Sequence, residues 1–332
     1  MRWTTLIPRT AVGLLLTVAC ADPEGRLTAP KAALATRQFS DWSTPVSLGS
    51  LINSSSIEQQ PNLTKDGLTL YFTSGRPTDA NDLGADLNIW VAQRACTDSA
   101  NVACAWQQPQ VLGPEINGEF ADVTPALSRD EHLLIFSSQR ARENCTAEPC
   151  DRDLWVSYRD DVHDDIAWQS PVHLGPNING SGEDLAPNYF ENDDGGAAQL
   201  FFTRGQLAAA DLYVSYMQSD GSWGPAIAIS ELNTAPNGVD AFTAEARPSV
   251  SHNGLELYFW SNRTGIAQIY HTSRESVTAA WSSPTLVPSP IAGPSTQQPF
   301  IYSHGNTETL LIVRGPATNF DLYMSERTRD GP

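Results

Sequence analysis

Four carboxylates stand at the same place in a repeated pattern. Glu58, Asp122, Asp184 and Glu245 each lie three residues before a proline, in "EQQP", "DVTP", "DLAP" and "EARP", and Thr296 takes the place in the fifth copy, "TQQP". Carboxylates brought together at one mouth would hold a cation or a basic ligand, or would push one another's pKa apart and so supply an acid and a base. Glycosidic hydrolysis needs such a pair, roughly 5–9 Å apart. The same residues also serve a plainer purpose, accepting hydrogen bonds from loop N–H groups where a strand begins. A role repeated in four units favours a shared ring over a single catalytic residue, because catalysis usually assigns different residues to different tasks.

Phe120 and Phe242 fall in the same entrance loops as Asp122 and Glu245, where they would line a ligand surface or fold beneath the loop. A second column is basic: Arg76, Arg140, Arg204, Arg263 and Arg314. Each is followed by an acid or amide, Asn88, Asp153, Asp211, Gln268 or Asp321, just ahead of the next strand. A guanidinium fork facing such a group fastens a repeat. Converging arginines would alternatively hold an anion.

The elements that place these columns are strands. "WSTPVSLG", "WQQPQVLG", "WQSPVHLG", "WGPAIAIS" and "WSSPTLVP" recur, each followed by a proline segment, then an apolar run such as "LTLYFTSGR" or "LELYFWSNR", then a motif such as "LNIWVAQ" or "DLYVSY". The prolines at 61, 125, 187, 248 and 299 set spacings of 64, 62, 61 and 51 residues. Short runs of Leu, Ile, Val, Tyr and Phe between turn residues are strands, and four per unit predict the blades of an all-β, five-bladed β-propeller with four-stranded antiparallel blades. The last unit has only three strands of its own. The segment from Trp42 to Leu48 supplies the fourth, closing the ring and removing an exposed edge. The "L-G-x-x-I-N" elements, with Ile52-Asn53, Ile116-Asn117, Ile178-Asn179 and Leu232-Asn233, read as apolar plugs between blades, and Ile291-Ala292 is the variant copy.

The unit "P-x-L-S-x-D-G-x-x-L-Y-F-x-S-x-R" followed by "D-L-Y-V-S" resembles the TolB-type propeller repeat of bacterial envelope proteins. Pro61, Leu63, Asp66, Gly67, Tyr71, Phe72, Ser74 and Arg76 carry the likeness in the first unit, and Pro248, Val250, Asn253, Gly254, Tyr258, Phe259, Ser261 and Arg263 in the fourth. The resemblance implies a propeller used mainly to bind proteins or ligands, periplasmic or tethered to a membrane, with a few catalytic relatives.

The N-terminus agrees with export. Residues 1–19 pair Arg2 and Arg9 with an apolar run too short to span a bilayer, which is the pattern of a signal segment. Val18-Ala19-Cys20 resembles a lipobox, so Cys20 is expected to carry lipid and residues 20–38 to form a tether to the propeller of 39–332; simple secretion is the other reading. The remaining cysteines form two local pairs, Cys96/Cys104 and Cys145/Cys150, expected to be disulfides in an oxidising compartment.

With 20 Lys and Arg against 38 Asp and Glu, the net charge of −18 offers no broad footprint for nucleic acid or anionic lipid. The six histidines show no metal-ligand spacing, and neither a phosphate-cradling loop nor a nucleophile elbow is present. No cofactor is expected. The expected partner is a protein, or a small molecule or glycan, bound at an acid-bearing channel mouth; the alternative is a carbohydrate-active hydrolase working through the same acids.

Overall fold

A computed structural model describes residues 39–79, 86–98, 102–143, 145, 149–191, 196–206, 209–233, 243–293 and 295–329. The expected export segment, Cys20, the tether and Phe242 lie outside them. Five four-stranded antiparallel sheets are arranged as five blades. The first blade consists of β2 (Glu58–Leu63), β3 (Thr69–Ser74), β4 (Asn88–Gln93) and β5 (Gln110–Val111); the second of β6 (Asp122–Leu127), β7 (Leu133–Ser138), β8 (Asp153–Tyr158) and β9 (Val172–His173). The third holds β10 (Asp184–Phe190), β11 (Gln199–Arg204), β12 (Asp211–Tyr216) and β13 (Ile227–Ala228); the fourth β14 (Glu245–Val250), β15 (Glu256–Ser261), β16 (Gln268–Ser273) and β17 (Thr285–Leu286).

The fifth blade is built from β18 (Gln297–His304), β19 (Thr307–Arg314) and β20 (Asp321–Thr328), and is completed by β1 (Val46–Ser47) from the other end of the chain. Val46 lies opposite Met324 and Ser47 opposite Tyr323. The N-terminal strand therefore completes the last blade, as the repeat count requires.

Five apolar clusters fill the five gaps between blades. Tyr71 and Ile89 meet Leu134 and Phe136 between the first two blades; Ile135 and Leu154 meet Leu200 and Phe202 in the next gap. The plug residues Ile52, Ile116, Ile178, Leu232 and Ile291 are at most 1% exposed, one in each gap. The asparagine after the plug does more than bend the chain. Asn117 accepts the Ile89 N–H at 2.8 Å and donates to the Ile89 carbonyl at 3.0 Å, and Asn53, Asn179 and Asn233 clamp Leu322, Leu154 and Leu212 in the same way. Each stitches its loop to the third strand of the preceding blade and accepts a backbone N–H that the short outer strand leaves open, while sharing the carbonyl with it.

A second arginine column, which no sequence motif marks, braces the rim. Arg94, Arg159, Arg274 and Arg327 lie 4.2–4.6 Å over Trp106, Trp168, Trp281 and Trp42, an arrangement in which the guanidinium both packs and meets the negative ring face. The third blade has Met217 in this position, and its Trp223 packs edge-on against Tyr189 instead. Both expected disulfides form, Cys96–Cys104 and Cys145–Cys150, each closing a small loop between strands.

Candidate functional site

The four repeat carboxylates open the innermost strands, as expected, and all are buried: Glu58, Asp122 and Asp184 at 0% and Glu245 at 1% exposure. Each is matched with the arginine of its own unit. Arg76 reaches Glu58 at 3.1 Å, Arg140 reaches Asp122 at 2.9 Å, Arg204 reaches Asp184 at 2.8 Å and Arg263 reaches Glu245 at 3.1 Å. In the fifth unit the neutral Thr296 accepts from Arg314 at 3.2 Å. Loop amides complete the set: the N–H of Ser54, Gly118 and Gly180 donates to Glu58, Asp122 and Asp184 at 2.8, 2.6 and 2.6 Å. The guanidinium also donates to the plug carbonyl, Ile52, Ile116, Ile178, Leu232 or Ile291, and lies over one or two aromatic rings of its own blade.

This corrects the partner expected for the basic column. Asn88, Asp153, Asp211, Gln268 and Asp321 do sit across the next strand connection, with Arg204 opposite Asp211 and Arg314 opposite Asp321. In four units the guanidinium turns the other way, toward a buried carboxylate on the first strand that it neutralises, and in the fifth Arg314 turns the same way toward Thr296 and the Ile291 carbonyl. Asp153 is held instead by Arg142 at 2.6 Å and His173 at 2.8 Å.

Burial raises the Asp122 carboxyl above its ordinary range, against the pull of Arg140, Ser138 and the Gly118 amide. Asp184 is pushed up to about 6 by burial, opposed by the Gly180 amide and Arg204. A carboxyl whose folded pKa lies above its unfolded value of 3.8 holds its proton more tightly in the native state, so stability falls as pH rises from about 4 through 6. The expected outcome for Asp184→Asn is a flatter stability profile over that window, by roughly 3 kcal/mol at most. Urea denaturation at pH 4, 5, 6 and 7.5 measures it; an unchanged slope would show that Asp184 is ionised throughout.

None of the four acids lines the central channel. Its wall is made by the residues around each proline, and the residue just before the proline forms a ring: Gln60, Thr124, Ala186, Arg247 and Gln298. All five are left-handed, with φ of 57°, 59°, 51°, 57° and 56°, although none is glycine and each precedes proline. A β-bulge produces this geometry: in every blade the first strand carries one residue more than its partner, as where Gln59 and Asn62 oppose Thr73 and Tyr71. Hydrogen bonds between blades hold the strained positions. The Thr124 N–H donates to Gln60 Oε1 and Thr73 Oγ1, each at 3.0 Å, the Gln60 N–H to Gln298 Oε1 at 3.0 Å, and the Arg247 N–H to Thr203 Oγ1 at 2.8 Å.

The throat cavity is about 40 Å3, and among the described residues no carboxylate lines it. Phe120 sits half-buried in the loop before Asp122, away from the throat wall. Among the described residues, no group of three or more His, Cys, Asp or Glu is placed to hold a metal ion. The pre-proline ring was open to view in the sequence as the column Gln, Thr, Ala, Arg, Gln. Its signal is the break in symmetry, one cation among neutral residues.

No family model matches the chain, and no curated protein matches it. Solved structures do. A thermostable family-43 glycoside hydrolase is similar at TM-score 0.57 and 11% identity, over 85% of this chain and 95% of that one. An alpha-L-arabinofuranosidase from Lactobacillus brevis gives 0.55 and 13%, over 84% and 92%, and a GH62 hydrolase solved with xylotriose gives 0.57 and 12%, over 85% and 97%. At these identities the likeness is one of fold. It places the chain among five-bladed β-propellers, a broader class than the TolB-type resemblance named, with glycoside hydrolases as the main structural neighbours.

Proposed function

We propose that this chain is an extracytoplasmic, lipid-tethered propeller that binds a ligand in its central channel and does not cleave it. The observation that carries this reading is the division of labour between the two rings. The carboxylates are buried and neutralised by arginines, whereas the strained pre-proline ring lines the throat and departs from the repeat. Strained backbone kept in all five blades marks a wall whose shape is fixed before any ligand arrives. The disulfides agree with an oxidising compartment outside the cytoplasm. Lipidation at Cys20 and a ligand contact by Phe242 rest on the sequence alone, and Phe120 extends the proposed surface at the mouth.

Hydrolysis of glycans is the second reading, favoured by the glycoside hydrolases among the structural neighbours. It calls for two carboxyls at roughly 5–9 Å, one on either side of a sugar bond in an open pocket. Among the described residues the throat offers no carboxyl to such a bond, and it is far smaller than the several hundred Å3 of a pocket that encloses a small molecule. Reducing-sugar release and calorimetry on one panel of arabinans, xylans and pectic fragments separate the readings. Heat without product is expected. Product formation that Asp122→Asn or Asp184→Asn abolishes in a folded protein would establish the enzyme.

A further inference from the structure

Three side-chain amides of the throat wall, those of Gln60, Asn62 and Asn188, have their oxygens already engaged. Asn62 and Asn188 spend their Oδ1 atoms on the N–H groups of Leu127 and Val250 in the following blade, at 3.4 and 3.0 Å, which leaves their NH2 groups for the channel. Gln60 does the same, its Oε1 taken by the Thr73 hydroxyl at 2.8 Å and by the Thr124 N–H at 3.0 Å. These amide orientations follow from the network itself, since only the oxygen accepts an N–H.

Arg247 completes the wall and differs from every other ring member. It is the one cation among the five, it is partly accessible through the channel, and its Nη1 is buried without a hydrogen-bond partner. The arginines of the repeat column all have an acid or a threonine of their own blade; among the described residues Arg247 has no ion pair. Burial, with a smaller push from a second cation, Arg152, brings its guanidinium down to about 9, so that it remains charged at neutral pH. A buried guanidinium nitrogen without a partner is costly, by the desolvation of a charged donor. A bound anion would relieve that cost.

We infer that the throat is an anion site that takes the carboxylate end-group of a small ligand, with Arg247 as its charged contact and the Gln60, Asn62 and Asn188 amides as neutral donors. The inference rests on the reading of the channel as the binding site and names the chemistry it recognises. A planar carboxylate suits both the guanidinium fork and the narrow throat, while the rest of the ligand stays at the mouth. Acidic sugars and short organic acids both present that group.

The test is calorimetry at low salt with galacturonate, galactose, succinate and acetate, on the wild-type protein and on Arg247→Gln and Arg247→Lys. Glutamine already occupies this left-handed position in two blades, so Arg247→Gln is expected to fold with little change in Tm. Galacturonate is expected to bind at least tenfold more tightly than galactose, to lose tenfold or more on Arg247→Gln, and to recover part of that on Arg247→Lys. Acetate competing as well as galacturonate would assign recognition to the carboxylate alone, and galacturonate outcompeting it would add the sugar ring. Galactose binding as well as galacturonate would overturn the anion site and leave channel binding standing. No binding by any carboxylate, or binding indifferent to Arg247→Gln, would overturn the inference, and silence across the glycan panel as well would remove the channel reading with it.

Discussion

Arg140→Ala is expected to cost about 3–5 kcal/mol of stability, the loss typical when a buried ion pair is broken from one side. Asp122 is fully buried, and Arg140 is its counter-charge at 2.9 Å. The guanidinium also bonds the Ile116 carbonyl at 2.5 Å and lies 5.1 Å over Phe136 and 5.4 Å over Trp155, so the alanine loses packing as well as charge. Burial already raises Asp122, and removing the main opposing group raises it further. The deficit therefore grows as pH rises and the orphaned carboxyl is forced to ionise. Urea denaturation at pH 5 and pH 8 reads both the loss and its sign. Arg140→Met with Asp122→Leu is expected to recover much of it, since an apolar pair carries no desolvation debt. A loss under 1 kcal/mol, equal at both pH values, would mean that the carboxylate column does not depend on its arginines.

Deleting residues 39–49 is expected to open the ring. The short β1 pairs with β20 through Val46 and Ser47, and the segment before and after it adds backbone bonds from Ser40, Ser43 and Leu48 to Thr328, Glu326 and Leu322 at 2.8, 2.8 and 3.0 Å. Trp42 packs edge-on against Tyr258 and beneath Arg327, so the same segment seals the gap between the fourth and fifth blades. Without it β20 presents unpaired N–H and C=O groups and an uncovered apolar face, the conditions for edge-to-edge association. Light scattering after size exclusion is expected to show oligomers, with a Tm lower by on the order of 10 °C or more and a broadened transition. A monomer melting at the wild-type temperature would show that the fifth blade stands without its borrowed strand.

The strands, the blade count and the borrowed strand were legible because each rests on local alternation and on a repeat that can be laid on itself. The disulfides were legible because short spacings leave few alternatives. The arginine partners were not. Sequence proximity favours Asp211 for Arg204, and the backbone register agrees, but side-chain direction follows the uncompensated charge on the first strand. The column of Arg94, Arg159, Arg274 and Arg327 went unread because its contacts are tryptophans near the start of the outer strand, across a loop whose length differs from blade to blade, so that no fixed spacing links them. The channel wall was hidden by the bulge. An unbroken strand would alternate inward and outward from Glu58, and the extra residue in every blade instead brings Gln60, Thr124 and Arg247 to the throat.

We assign the carboxylate ring to holding the structure and the pre-proline ring to holding the ligand. Measuring galacturonate affinity and Tm together on Asp122→Asn and Arg247→Gln separates the two roles. The expected result is a crossed pattern: Asp122→Asn shifts Tm and leaves affinity within about twofold, the scatter of a site it does not touch, while Arg247→Gln leaves Tm nearly unchanged and weakens binding tenfold or more. Loss of binding on Asp122→Asn at unchanged Tm, with Arg247→Gln silent, would contradict the assignment.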